Sequence, residues 1–245
     1  MARQQQLFPK RKRRRGAGRP AKGPRSSEKH KVRAPVRSGH PVHVVIRGAP
    51  IVKTLRTRAI YHAVRKALVT TFPRQDFHVV HVSIQGNHIH LLIEAQDKIA
   101  LARGMQGFQI AAAKHINAAI SKRQETRRRG TVFPDRYHAR TIDNRCQARH
   151  ALAYVLNNWR HHGESQTVVG AHWRIDPFSS AASFDGWRDL ADPRAAFPDS
   201  YEPLPVWKPK SWYLKAGWRQ YGLVRTTEVP GGATKRRARQ PAFAE

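Results

Sequence analysis

Cysteine, acidic residues and long apolar runs are all scarce in this sequence of 245 residues. Its one cysteine, Cys146, has no partner for an internal disulfide, which also excludes the usual multi-cysteine zinc sites. No apolar run approaches the roughly 18 residues that a membrane-spanning helix needs. No apolar stretch follows the basic N-terminus as it would in a secretion signal. We therefore expect a cytoplasmic protein with no membrane partner.

The scarcity of acidic residues leaves a large excess of positive charge. The chain carries 46 lysines and arginines against 16 acidic residues, a formal net charge of +30. Such a chain attracts polyanions through Coulomb forces and through the release of their counterions. Hydrophobic residues still make up 40% of the sequence, close to the fraction of an ordinary globular protein. The composition predicts a folded domain that binds nucleic acid.

Residues 1–37 form a basic N-terminal tail with 14 lysines and arginines and one acidic residue, Glu28. A segment with this charge and little to bury is predicted to be disordered when free. Gly18-Arg19-Pro20 is similar to the centre of a minor-groove AT-hook, although a solvated phosphate-binding tail explains it better. We predict that the tail binds DNA phosphates through the basic residues Arg11, Lys12, Arg13, Arg14, Arg15 and Arg19.

Between residues 38 and 163 the hydrophobic pattern predicts strand, helix, strand, strand, helix, strand and a final helix. The predicted helices span 55–70, 98–122 and 145–161, and the strands lie near 42–47, 77–85, 88–94 and 136–142. The first six elements form a ferredoxin-like split β-α-β unit, an α+β fold in which two helices cover one face of an antiparallel sheet. Residues 164–245 hold much of the tryptophan and are predicted to be an appended segment of short helices and loops with a basic end.

A two-residue turn at 86–87, of glycine and asparagine, predicts a hairpin because both residues tolerate positive φ. Its register places Val80 and Ile84 on the apolar face, under the two helices. His88 and His90 then lie on the face that the two main helices leave uncovered. Side chains at i and i+2 of a strand project in parallel, so the two imidazoles can hold one cation. An isolated His-x-His is more often a pair of polar residues on a partly exposed strand than a metal site.

The third predicted helix has an apolar stripe, and Tyr154 lies off it, with Asn158 one turn further on. If this helix crosses the uncovered face of the sheet, Asn158 could offer an amide oxygen to the cation. Tyr154 would then point its hydroxyl at a polarised phosphate, and its attack would form a phosphotyrosine and free a DNA hydroxyl. The alternative for Tyr154 alone is an exposed ring that stacks on a base.

Two motifs resemble those of the HUH single-tyrosine transposases. The segment Gly86-Asn87-His88-Ile89-His90-Leu91-Leu92 resembles their His-hydrophobic-His motif, and Tyr154-Val155-Leu156-Asn157-Asn158 resembles their tyrosine-helix motif. Phe133 and Arg136-Tyr137-His138 resemble the segment between the two motifs. The resemblance covers residues 40–162 and is greatest to the REP-associated tyrosine transposases. Trp159 stands where many members have proline, which leaves Asn157 as a second candidate for the amide ligand.

The resemblance implies cleavage and rejoining of single-stranded DNA, at hairpin-forming repeats, through a 5′-phosphotyrosine on Tyr154. It implies His88, His90 and Asn158 as the metal ligands, with Arg136 and the basic tail as DNA-binding residues. Two imidazole nitrogens and an amide oxygen suit Mg²⁺ or Mn²⁺, and the ligand set also admits zinc. A monomer and a homodimer are both compatible with the sequence.

Two other interpretations compete with an active transposase. A non-catalytic nucleic-acid-binding protein of ferredoxin-like fold, such as an RNA-recognition module, needs aromatic residues on its central strands. The predicted uncovered face here carries histidine and serine instead. A transposase that has lost its activity is the third interpretation, and the intact His88, His90 and Tyr154 argue against it.

Deletion of residues 1–37 tests the predicted role of the tail. We expect the shortened chain to fold and to bind DNA more weakly, with a shallower dependence of log affinity on log salt concentration, because fewer counterions are released. Binding titrations of both chains on the same oligonucleotide at several salt concentrations measure the two slopes. Equal slopes would show that the tail does not contact DNA.

Overall fold

The structure, a computed structural model, describes residues 35–167 and 170–229. At its centre is a four-stranded antiparallel sheet with the strand order β2-β3-β1-β4. The strands are β1 Val42–Arg47, β2 Phe77–Ile84, β3 His88–Ala95 and β4 His138–Thr141. Because β3 lies between β1 and β2, the sheet has the split β-α-β topology, and the predicted α+β fold is confirmed. The tail residues predicted to bind DNA, Arg11 to Arg15 and Arg19, lie outside the described residues.

The first face of the sheet packs on two long helices, α1 Arg58–Val69 and α2 Lys98–Gln124. Each helix begins after a side chain that accepts hydrogen bonds from the first backbone N–H groups, Thr57 for α1 and Asp97 for α2. The cap at Thr57 explains why α1 begins later than the residue 55 predicted from periodicity. Within the described ranges, no helix is long and apolar enough to cross a membrane.

The β2–β3 hairpin follows the predicted register near its turn and departs from it further away. At the turn, the Gln85 N–H donates to the His88 carbonyl at 2.8 Å. A β-bulge between Val79 and His81 then shifts the register, and Val79 takes the place on the first face that the sequence assigned to Val80. The prediction for Val80 is therefore wrong, and its side chain packs on the second face. An extra residue in one strand reverses the side-chain alternation beyond it.

The two-residue link at Gly86 and Asn87 is present, but neither residue has the positive φ on which its prediction relied. Both carbonyl oxygens accept hydrogen bonds from the loop that follows β1. Gly86 accepts from the Leu55 N–H at 2.7 Å, and Asn87 accepts from the Gly48 N–H at 2.8 Å. The neighbouring loop therefore fixes the conformation of the turn.

The second face of the sheet packs on a third helix, α3 Arg145–His161, and on the described part of the C-terminal segment. Their apolar side chains form a core separate from the first, and its large members include Leu92, Leu152, Leu156, Ile175, Phe184, Trp187 and Trp218. As predicted, the described C-terminal residues form short elements, among them the four-residue helix α4 Trp212–Lys215. The domain boundary at residue 163 stays a prediction. The segment beyond it shares this core with α3.

Two ion pairs hold the C-terminal segment in place. The Arg56 guanidinium donates to both carboxylate oxygens of Asp176, at 2.9 and 3.1 Å, and Asp176 is fully buried. Burial raises the pKa of Asp176, while the facing Arg56 lowers it. Within α3, Arg149 donates to Glu228 at 2.7 Å and to the backbone of Gly222. Removal of one partner of the buried Arg56–Asp176 pair costs several kcal/mol, while the Arg149–Glu228 pair is partly exposed and contributes less.

Two glycines of α2 give a matched test of its packing. A Cβ added at Gly104 would lie 2.2 Å from the fully buried Phe77 ring, whereas a Cβ at Gly107 would meet nothing within 4 Å. Both substitutions remove a glycine from a helix interior, which alone stabilises by roughly 0.5–1 kcal/mol. We expect Gly107→Ala to raise the free energy of unfolding by that amount, and Gly104→Ala to lower it by about 1–3 kcal/mol through overpacking. Urea denaturation measures both, and equal stabilisation by the two changes would contradict the packing of α2 on β2.

Candidate active site

The two histidines of the predicted metal pair lie at the start of β3 and face each other on the second side of the sheet. His90 is almost fully buried, and His88 is half-buried at the strand end. Their Nε2 atoms are 2.7 Å apart. Two unprotonated ring nitrogens at this distance repel each other unless one carries a proton or a cation lies between them. The predicted pair therefore has the donors of a cation site.

The outer nitrogens of both imidazoles contact neighbouring polar side chains. The Asn87 amide oxygen lies 2.6 Å from Nδ1 of His88, and Nε2 of His43 lies 3.0 Å from Nδ1 of His90. Desolvation by burial lowers the pKa of His90 to about 2, and those of His88 and His43 to about 4. All three rings are thus neutral at neutral pH, which is the form in which imidazole binds a metal ion.

Helix α3 carries the predicted nucleophile to the same place. Asn144 caps the helix by accepting from the Gln147 N–H, and the apolar stripe of α3 packs on the sheet. Tyr154 is half-buried, and its ring lies 5.2 Å from that of His90 and 5.8 Å from that of His43, measured between centroids. Burial raises the pKa of Tyr154, so the phenolate is disfavoured without a positive charge nearby.

The structure separates the two asparagines that the sequence left as alternatives. Asn158 is fully buried, and its Nδ2 lies 2.7 Å from Nε2 of His90. Asn157 instead donates to the backbone carbonyl of Arg225 at 2.9 Å, which directs its side chain to the C-terminal segment. Of the two, Asn158 is therefore the one that faces the histidine pair.

The donors fit a divalent cation. The Oδ1 atom of Asn158 is buried with no hydrogen-bond partner among the described residues. Half a turn of the amide would bring this oxygen to the position beside His90 Nε2, where it could complete a set of two nitrogens and one oxygen. The described residues contain no group of three or more His, Cys, Asp or Glu side chains suited to a metal ion, so this amide is the candidate for a third protein ligand. Such a set leaves positions for water or substrate oxygens.

A cavity of about 620 Å³ opens beside Tyr154 and His90. Gln147 and His150, which the helix places on the same side as Tyr154, line its wall. Arg140 enters from β4, where it is paired with His43, so the two side chains share one face of the sheet. Arg140 is exposed, and within the part of the chain that the structure describes no ion pair is formed by it. A permanent positive charge therefore stands at the opening of the cavity.

The structure brings together four of the predicted site residues, Tyr154, His88, His90 and Asn158. Arg136 is exposed before β4 and borders a different groove, beside α2. Sequence reasoning missed His43 and Arg140. In the sequence, His43 alternates with apolar residues of β1, which indicates the face of the sheet on which it lies. Placing it beside His90 also requires the register of β1 against β3, which the sequence does not give.

Comparisons with solved structures return proteins of low similarity. One is a REP-associated tyrosine transposase bound to a REP hairpin, 17% identical, with 75% of this chain and 96% of that chain covered at a TM-score of 0.49. Another is a candidate transposase from Deinococcus radiodurans, 12% identical, with 57% and 97% covered at a TM-score of 0.34. A third is a bacterial tRNA(His) guanylyltransferase-like protein in complex with GTP, 14% identical, with 56% and 71% covered at a TM-score of 0.39.

The sequence itself gives the stronger match. A comparison with curated proteins finds no match. Residues 37–158 match the family model described as Transposase IS200 like, and this range contains the histidine pair, Tyr154 and Asn158. Through residues 37–158, the chain belongs to the IS200-like family of transposases.

Proposed function

We propose that this transposase cleaves and rejoins single-stranded DNA with Tyr154 as the nucleophile and with a divalent cation held by His88, His90 and Asn158. One observation carries the proposal. The tyrosine ring and the amide, one helical turn apart on α3, both lie against His90, and the second imidazole faces His90 at 2.7 Å. A base-stacking tyrosine has no need of these neighbours.

In the proposed reaction the Tyr154 phenolate oxygen attacks the phosphorus of a phosphodiester. A bond from the tyrosine oxygen to phosphorus forms, and the bond from phosphorus to the 3′ oxygen breaks. The leaving oxygen takes up a proton as a 3′-hydroxyl, the proton of the phenol passes to solvent, and the other strand end stays on Tyr154 as a 5′-phosphate ester. Attack by another 3′-hydroxyl reverses the sequence, so rejoining needs no ATP.

The residues around Tyr154 divide the remaining tasks. Mg²⁺ or Mn²⁺, when bound, supplies the positive charge that polarises a nonbridging phosphate oxygen. His88 and His90 offer Nε2 atoms, and Asn158 offers its buried amide oxygen. Arg140 at the cavity opening binds a phosphate of the incoming strand, which is the contact that a basic chain of net charge +30 makes most readily. The sequence resemblance extends the proposed substrate to hairpin-forming repeats.

The non-catalytic alternative loses support from the packing of the sheet. An RNA-recognition module stacks bases on an open sheet face. Here α1 and α2 cover the first face, while α3 and the C-terminal segment pack on the second. Little of the sheet is left on which bases could stack.

Replacement of Tyr154 by phenylalanine tests the nucleophile. We expect a folded protein that binds DNA and Mn²⁺ but forms no covalent adduct, because only the hydroxyl is lost. If that hydroxyl were only structural, its loss would lower the free energy of unfolding by about 1 kcal/mol, and the variant would still form the adduct. Tyr137→Phe is the matched control. Tyr137 belongs to the segment between the two family motifs, but it packs in the core on the first face of the sheet.

The assay incubates each protein with labelled single strands that flank a hairpin, with and without Mn²⁺, and resolves the products under denaturing conditions. The wild-type chain and Tyr137→Phe should give a denaturation-resistant protein–DNA band. An equally strong band from Tyr154→Phe would mean that a different residue is the nucleophile.

The histidine pair is tested by His88→Ala and His90→Ala. We expect both variants to lose metal-dependent cleavage and to keep most of their DNA affinity, because affinity comes mainly from lysine and arginine contacts to phosphate. His115→Ala on α2, on the other side of the sheet, controls for the loss of an imidazole. Cleavage and DNA binding are measured on the same oligonucleotide, and a double variant that cleaves at the wild-type rate would refute the metal site.

A further inference from the structure

His43 occupies a position in the site that the proposed reaction does not use. It lies on β1 two residues from Val45, which is the register partner of His90, and all three side chains share the second face of the sheet. Its ring stacks on that of His90 with centroids 5.2 Å apart, and its edge meets the ring of Tyr154. Its Nε2 is 3.0 Å from Nδ1 of His90, so one of the two nitrogens must donate to the other.

The two possible directions of this hydrogen bond have opposite consequences. If His90 donates from Nδ1, its single ring proton is there, and Nε2 keeps a free lone pair beside His88 and Asn158. If His43 donates instead, the proton of a neutral His90 must be on Nε2, where it blocks a cation. His43 can act as the acceptor only with its own proton on Nδ1. The direction of one hydrogen bond therefore decides whether the site can bind a metal ion.

We infer that His43 is a positioning residue that accepts a hydrogen bond from Nδ1 of His90 and so holds the Nε2 lone pair of His90 ready for a cation. The inference rests on the proposed function, because it assigns a role toward the metal site proposed there. The hydrogen bond at His88 runs in the same direction. The amide oxygen of Asn87 accepts from Nδ1 of His88 at 2.6 Å, which keeps the His88 proton on Nδ1. Each imidazole is thus held at its outer nitrogen, and each inner nitrogen keeps a lone pair; that of His90 faces Asn158 Nδ2 at 2.7 Å.

His43 lies where an outer partner of His90 would lie. It contacts Nδ1 of His90, whereas Nε2 of the same ring faces His88 and Asn158. Outer partners of metal-binding histidines fix the tautomer and the ring orientation, and their loss costs about 10- to 100-fold in metal affinity. His43 meets this description, and its own ring is held by contacts with the rings of both His90 and Tyr154.

Two substitutions separate hydrogen bonding from packing. His43→Gln keeps an acceptor but loses the ring, whereas His43→Phe keeps a ring but has no acceptor. We expect the Mn²⁺ affinity of the full chain, measured by isothermal titration and by electron paramagnetic resonance, to fall about 10- to 100-fold in His43→Phe and to be partly restored in His43→Gln. The thermal midpoint should show the reverse order, because phenylalanine preserves the stacking. A phenylalanine variant with wild-type affinity, beside a weakened glutamine variant, would overturn the inference.

A spectroscopic measurement on the metal-free chain tests the hydrogen bond directly. We expect the ring ¹⁵N resonances of His90, assigned by their absence in His90→Ala, to show a proton on Nδ1 and none on Nε2. A proton on Nε2 would overturn the inference even if the variants fail to fold. Failure of the proposed function gives a different result: wild-type chain would then bind no Mn²⁺, or His88→Ala would bind it as well as the wild type does.

Discussion

The packing of α3 between the sheet and the C-terminal segment is the constraint on which the site depends. Leu152 and Leu156 bury one side of the helix with Leu92 of β3, and on another side Arg149 is tied to Glu228 by hydrogen bonds. A helix held in this way cannot rotate without exposing part of this core to water, at a cost of about 25 cal/mol per Å² of apolar surface. Fixing the rotation of α3 also fixes where Tyr154 and Asn158 point.

The second constraint is electrostatic, and it separates the site from the rest of a very basic chain. Most lysines and arginines that the structure describes are exposed, where positive charge attracts DNA from a distance. The imidazoles of His43, His88 and His90 lie in a desolvated region, where burial and mutual repulsion keep them neutral. In the proposed reaction, long-range attraction of the strand and the chemistry at one phosphate would therefore use different residues, and the exposed Arg140 lines the cavity between them.

The sequence predicted the parts of the site that depend on local geometry. The two-residue turn placed His88 and His90 on one face, and helical spacing placed Asn158 one turn beyond Tyr154; the structure bears out both placements. Local patterns failed where a distant segment decides. The bulge at Val80 leaves no signal in the apolar run of β2, and the two-residue turn is fixed by backbone groups of another loop rather than by its own φ angles. His43 entered the site through the pairing of β1 with β3, which no single motif encodes.

One buried polar group of the site lacks a hydrogen-bond partner among the described residues, as do several buried polar groups elsewhere in the described fold. At the site this group is the amide oxygen of Asn158, and next to it the Nε2 atoms of His88 and His90 face each other at 2.7 Å. A buried unsatisfied group costs about 1–3 kcal/mol, a loss that a folded domain retains only where surrounding packing holds it. Helix α3 holds the backbone at Asn158 in place, because the next residue, Trp159, is fully buried. After half a turn of the Asn158 amide, its oxygen and the two Nε2 atoms would face one small volume, which is where the proposed divalent cation would bind all three.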